Sequence, residues 1–173
     1  MNKIICATTA LFLAGCTATN TLPERTLADG QAYLAPIHVL VDDPLNASQM
    51  RNHLRETGVF SAVEPGVGKA GDFTVWVKFQ TKTELPPFPV VLLSCATLFM
   101  LPLSKEVVTQ AQFTVLQDGK SLKQYSYSNN THKYTFLLDQ GGEMQGQNFT
   151  RIARAFAQDV RHDRLLPSVG GGQ

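Results

Sequence analysis

The run Gly71-Asp72-Phe73-Thr74-Val75-Trp76-Val77-Lys78-Phe79 alternates Phe73, Val75, Val77 and Phe79 with Thr74, Trp76 and Lys78. A period of two puts each set on its own side of a pleated strand, so the apolar set predicts a core face and the other a wetter face. Downstream, Ala111, Phe113 and Val115 interleave with Gln110, Gln112 and Thr114, and Asp118-Gly119 then offers a hairpin turn. Leu122 to Tyr127 answers as a return strand. Ser128-Asn129-Asn130 reads as a second turn, and His132 to Leu138 as a third strand of an antiparallel meander. Upstream, Ile37-His38-Val39-Leu40-Val41 is a β-branched strand ended by Asp42-Asp43-Pro44, and Val59 to Glu64 is another, closed by Pro65-Gly66-Val67-Gly68.

Two helices complete the pattern. Asn46 with Gln49 resembles a capping box; Ala47, Met50 and Leu54 recur at helical spacing, and Gly58 supplies a stop, which predicts a helix over Asn46 to Thr57. After Gly141, Gly142 and Gly146, the residues Phe149, Ile152, Ala153, Phe156, Ala157 and Val160 fall on one stripe of a helix reaching about Leu166, with Arg151, Arg154, Gln158 and Arg161 opposite. The arginines are either a solvated helix face or a contact for phosphates of lipid headgroups or lipopolysaccharide. The element order predicts an α+β domain with a largely antiparallel sheet and two helices packed on one face.

Between strands lies an apolar insert over 86–103. Pro86-Pro87-Phe88-Pro89 leads into Val90 to Leu101, which carries no charge, and Pro102 closes it. Twelve residues are too few for a membrane-spanning helix, which needs ~20. Two readings stay open: a buried core segment, or a surface contact with membrane or partner through Leu92, Leu93, Phe99 and Met100.

The N-terminus speaks of location. Lys3 gives a positive start, Ile4 to Leu13 an apolar run too short to span a bilayer, and small residues precede Cys16, the order of an export signal. Leu13-Ala14-Gly15-Cys16 resembles the lipobox of bacterial lipoproteins. That resemblance implies removal of residues 1–15 and lipid on the Cys16 thiol and amino terminus, with palmitate among the acyl chains. Because Thr17 is not aspartate, it further implies transfer to the outer membrane, facing the periplasm. The pair Leu54-Arg55-Glu56-Thr57-Gly58-Val59-Phe60-Ser61-Ala62-Val63-Glu64-Pro65 and Gly71 to Phe79 resembles small envelope lipoproteins, including auxiliary lipoproteins of ABC-type transport systems and the lipopolysaccharide-assembly lipoprotein. This likeness is structural: it implies a fold and a role in envelope assembly or transport, and carries no functional residue across.

Removing the signal leaves 158 of the 173 residues, enough for one domain with a true core. Residues 16–35 are polar and read as a tether, 36–166 as the single domain, and 167–173 as a flexible tail. The 15 basic and 14 acidic side chains nearly cancel, and without Lys3 they balance; that excludes the basic footprint nucleic acid requires. With Cys6 in the signal and Cys16 lipidated, Cys95 has no intrachain partner, and its apolar setting reads as a small buried hydrophobe.

Chemistry is sparse. No serine has the flanks of a nucleophile elbow, His38, His53, His132 and His162 lack metal-ligand spacing, and Gly66-x-Gly68 lacks the rest of a phosphate-binding loop. Asp42-Asp43 before a proline reads as turn and cap. No cofactor and no metal are expected. The function expected is that of a non-enzymatic accessory or scaffold, held to the membrane by lipid on Cys16 and meeting an envelope protein partner. A cell-wall enzyme or glycan-binding module is the alternative, with Trp76 as a contact for sugar or protein.

Overall fold

The computed structural model of the chain describes residues 18–27, 30–97, 103–135 and 142–169. In order, the elements are β1 (Thr19–Asn20), β2 (Tyr33–Leu34), β3 (Ile37–Val41), α1 (Pro44–Glu56), β4 (Val63–Pro65), β5 (Phe73–Glu84), α2 (Phe88–Ala96), β6 (Leu103–Gln117), β7 (Lys120–Thr135), α3 (Gly142–His162) and β8 (Ser168–Val169). Six strands form one sheet in the order β1-β7-β6-β5-β3-β4, while β2 and β8 pair separately.

The fold is α+β, but the sheet is mixed, not largely antiparallel, because β3 runs parallel to both β4 and β5. The reason is α1. A helix between two strands returns the chain to its starting end, so the next strand enters in the same direction, whereas only a tight hairpin reverses it. Asp43 caps α1, accepting from the Leu45 backbone N–H at 2.9 Å, and Pro44 opens the helix. Asn46, expected as the cap, instead donates to Asp43 at 2.8 Å. The expected strand over Val59 to Glu64 shortens to β4 because Val59 and Ser61 exchange backbone bonds with Leu34, at 2.8 and 2.9 Å.

Strands β5 and β6 pair from Phe73↔Gln117 to Glu84↔Glu106, and β6 and β7 from Leu103↔Thr135 to Gln117↔Lys120. The odd residues of β5 face the helices: Val75 and Val77 are fully buried with Phe113 and Val115 of β6. Phe156 is the hub of this layer. Its ring stacks on Phe113 at 4.3 Å, meets Tyr125 edge-on at 5.6 Å and lies 6.2 Å from Phe60. Phe149, Ile152, Ala153, Ala157 and Val160 complete the buried stripe of α3.

The turn predicted at Ser128-Asn129-Asn130 is absent: β7 runs straight through it, because the buried Asn129 side chain finds partners on two other segments, Asn20 and Leu22 at the N-terminus and Asn148 of α3. The segment read as a tether over 16–35 is docked from Thr19 onward, pairing with β7 at Thr19↔His132 and Asn20↔Thr131 and packing Leu22 and Leu27 on the core. The tail is partly ordered too: Ser168 and Val169 pair with Leu34 and Tyr33, and the Ala35 N–H donates to the Pro167 carbonyl at 2.8 Å. Helix α3 also starts earlier than expected and ends sooner, running through Gly146 with Met144 buried. The expected end of the third meander strand, His132 to Leu138, passes beyond the described residues after Thr135.

Candidate functional site

The polar face of α3 is a clamp. Arg151 donates to the Leu22 carbonyl at 3.0 Å and reaches Glu24 at 3.4 Å, and Arg154 bonds Glu24 at 2.9 Å. Arg25 pairs in return with Asp159, and Arg161 holds Gln31 and the Ala32 carbonyl. The arginine stripe is therefore neither a bare solvated face nor turned to a phosphate; it binds this chain's own N-terminal segment.

Beneath that segment lies a buried amide network. Asn148 of α3 donates to the Val107 carbonyl (3.1 Å) and the Thr109 hydroxyl (3.0 Å), and accepts from Asn129 (2.6 Å) and Thr131. Asn129 also donates to Asn20 (3.1 Å) and accepts from the Leu22 N–H (2.8 Å). Both asparagines and both threonines are buried; such groups stay inside only when their bonds are satisfied. The network ties β1 to β6, β7 and α3 at one end of the sheet.

Further along, Tyr127 donates to Asp159 (2.7 Å) and Tyr125 to Asp163 (2.6 Å). Burial, and then the hydrogen bond to the carboxylate, push both phenols above their ordinary 10.0. Lys123 first, then the Tyr125 hydroxyl, hold Asp163 below its ordinary 3.8. The signs bracket neutral pH. Raised tyrosines contribute stability that is full below pH 10 and lost as pH rises through their folded values, whereas Asp163 contributes above 3.8 and loses it as pH falls.

Both long helices sit on one side of the sheet, and the even-numbered residues of the long strands face away from them. There Trp76 is 38% exposed, with the Lys78 ammonium 4.2 Å from its ring centre. An open groove of about 650 Å³ runs alongside, bordered by Lys78, Gln80, Gln110, Gln112, Ser126 and Ser128. His38 lies on this face between Asp72 (3.4 Å) and Glu64 (3.8 Å). A Cβ on Gly68 would come within 2.7 Å of the His38 ring and 2.5 Å of Asp72 Cβ, so only glycine lets that loop close over the strand. The Ser104 hydroxyl lies 2.8 Å from His132 Nε2, half of a nucleophile–base pair, but among the described residues no carboxylate lies within ion-pair distance to orient the imidazole. Among the described residues no group of side chains could hold a metal ion.

The far end of the β5–β6 hairpin carries α2. Prolines open this helix without a side-chain cap, and Thr97 closes it onto the Leu93 and Ser94 carbonyls at 3.2 and 3.0 Å. Its packing is one-sided and slight. Ser94 is buried, while Phe88 is 72%, Leu92 54% and Leu93 57% exposed, with Leu85 at 79% beside them. Cys95, expected as a buried hydrophobe, is exposed, because the helix turns that side away from the sheet. No described helix is long and apolar enough to cross a membrane.

No known protein family and no curated protein matches this chain. Solved structures do. The chain is similar to a minor lipoprotein from Acinetobacter baumannii, at 10% identity and a TM-score of 0.47, over 78% of this chain and 97% of that one. It is also similar to rare lipoprotein B from Shewanella oneidensis, at 12% identity and a TM-score of 0.47, over 75% and 96%.

Of the contact residues expected from sequence, Leu92 and Leu93 stand side by side on α2, whereas Phe99 and Met100 lie outside the described residues, as does Cys16. The acids of Asp42-Asp43 are structural: Asp43 caps α1 and Asp42 accepts from the Phe79 N–H at 3.3 Å. Sequence reasoning missed the amide network and the clamp. The clamp joins residues 127 to 134 positions apart, the network spans 17 positions from Thr131 to Asn148 and 109 from Asn20 to Asn129, and no periodicity connects them.

Proposed function

We propose that the mature protein is a lipoprotein attached through Cys16 to the periplasmic face of the outer membrane, where it serves as a non-enzymatic accessory or scaffold in envelope assembly or transport. The observation that carries this reading is Leu13-Ala14-Gly15-Cys16 at the end of a short apolar run that begins after Lys3. The docked N-terminal segment supports it. A body clamped from Thr19 onward would sit close to its anchor, as a scaffold at a membrane requires, instead of swinging on a long leash.

Intact mass of the membrane-extracted protein is expected to show residues 1–15 gone and Cys16 carrying diacylglycerol and an N-acyl chain. The wild type is expected to float with the outer membrane on a density gradient. An unmodified Cys16 in the membrane-bound protein would overturn the reading.

A glycan-binding role has one specific observation in its favour: the half-exposed Trp76 shares a sheet face with a groove bordered by Gln80, Gln110, Gln112, Ser126 and Ser128 together with the charged Asp42 and Lys78, hydrogen-bonding groups of the kind that sugars use.

A further inference from the structure

We infer that α2 and the lipid-bearing terminus meet the same bilayer, so that the protein stands on the membrane by one end of its sheet, with the apolar hairpin tip lying in the lipid interface. The inference rests on the lipid anchor proposed above, and its geometry comes from the strand register. Thr19 pairs with His132, His132 with Glu106, and Glu106 with Glu84, so these four residues form one row across β1, β7, β6 and β5. The tip begins immediately beyond Glu84 and returns at Leu103, which is level with Thr135.

Direction matters as much as position. Because β1 is antiparallel to β7, moving backward from Asn20 to Thr19 moves forward along β7 from Thr131 to His132, toward the Leu103↔Thr135 end. Followed toward its N-terminal end, β1 therefore points to the tip. Cys16 stands only three residues upstream, a reach of ~10 Å at most. Strand spacing of ~4.8 Å puts β1 and the β5–β6 hairpin ~10–15 Å apart in the sheet. A lipid on Cys16 and the exposed Leu85, Phe88, Leu92 and Leu93 thus address one plane.

The chemistry of the tip fits lipid better than a charged partner. From Phe88 to Thr97 there is no charged residue. Among the described residues, the charged side chains at this end, Lys82, Glu84, Lys105, Glu106, Lys133 and Glu143, balance in sign. Attraction to anionic headgroups is thereby small, and contact rests on apolar insertion. Anchoring at Cys16 raises the local concentration of the tip at the bilayer, so a contact too weak to bind alone becomes occupied.

The native cysteine provides the probe. With Cys16 lipidated and Cys6 removed, Cys95 is the remaining thiol, and it is exposed on α2. The full mature protein, labelled there with an environment-sensitive fluorophore, is reconstituted into phosphatidylethanolamine–phosphatidylglycerol vesicles. The expected result is a blue shift and quenching by lipid nitroxides set ~5–10 Å into the interface, alike at low and high salt, and lost in Leu92→Asp/Leu93→Asp. A label on Lys120→Cys in a Cys95→Ser background, at the opposite end of the sheet, should stay unquenched. Intact mass of the same sample reports the anchor separately. Lipid on Cys16 with an unquenched Cys95 probe would overturn this inference and leave the anchor standing, as would equal quenching at Lys120→Cys. An unmodified Cys16 would overturn the anchor and, with it, this inference.

Discussion

Helices α2 and α3 reverse what their compositions suggest. Phe88 to Ala96 holds no charged residue, yet Phe88, Leu92 and Leu93 face solvent; α3 carries Arg151, Arg154, Asp159 and Arg161, yet Phe149, Ile152, Phe156 and Val160 are fully buried. Arrangement makes the difference. The apolar residues of α3 form one stripe that lies along β6 and β7, and its polar side is covered in turn by the N-terminal segment. The apolar residues of α2 surround the helix, which stands at the end of a hairpin and buries only Ser94.

The comparison can be broken most sharply at Phe156. Truncating a fully buried phenylalanine costs ~3–5 kcal/mol, and three aromatic rings lose their central partner, so Phe156→Ala should lower the urea midpoint steeply. A loss below ~1 kcal/mol would mean that α3 is no more integral than α2. Next in size comes Asn148→Ala, which leaves Asn129, Thr131 and Thr109 short of partners at ~1–3 kcal/mol for a buried group left unsatisfied. It should also loosen the docked terminus, read as faster amide exchange at Leu22; unchanged exchange there would show that the arginine clamp suffices alone. The smallest effect is expected at the tip. Leu92→Asp/Leu93→Asp should shift the stability of the protein in solution by no more than ~0.5 kcal/mol, the range of exposed positions. A drop of the Phe156→Ala kind would make α2 core and erase the contrast.

The same division runs through the candidate site. The apolar insert was legible as an anomaly, since prolines bracket it and charge is missing from it, but composition supports burial and exposure equally. Exposure of Leu92, Leu93 and Cys95 follows from where the hairpin ends, and that depends on the twelve paired residues of β5 rather than on α2 itself. Arg151, Arg154 and Arg161 were legible as a stripe, but their partners Leu22, Glu24, Gln31 and Ala32 were not.

By itself the sequence determined what depends on near neighbours along the chain. The period of two sets the faces of β5 and β6, the stripe of α3 sets its buried side, and Asp43-Pro44 sets the start of α1, because each is decided within a few residues by pleat, helical pitch or an unpaired N–H. Tertiary structure alone decided the parallel pairing of β3, the straight passage of β7 through Ser128-Asn129-Asn130, and the docking of residues 19–27 and 30–34. There the local signal favoured a turn or a loose coil. A distant partner, Asn148 for Asn129 or Arg154 for Glu24, supplied hydrogen bonds that outweigh the local preference, and such a partner is defined only once the chain has folded.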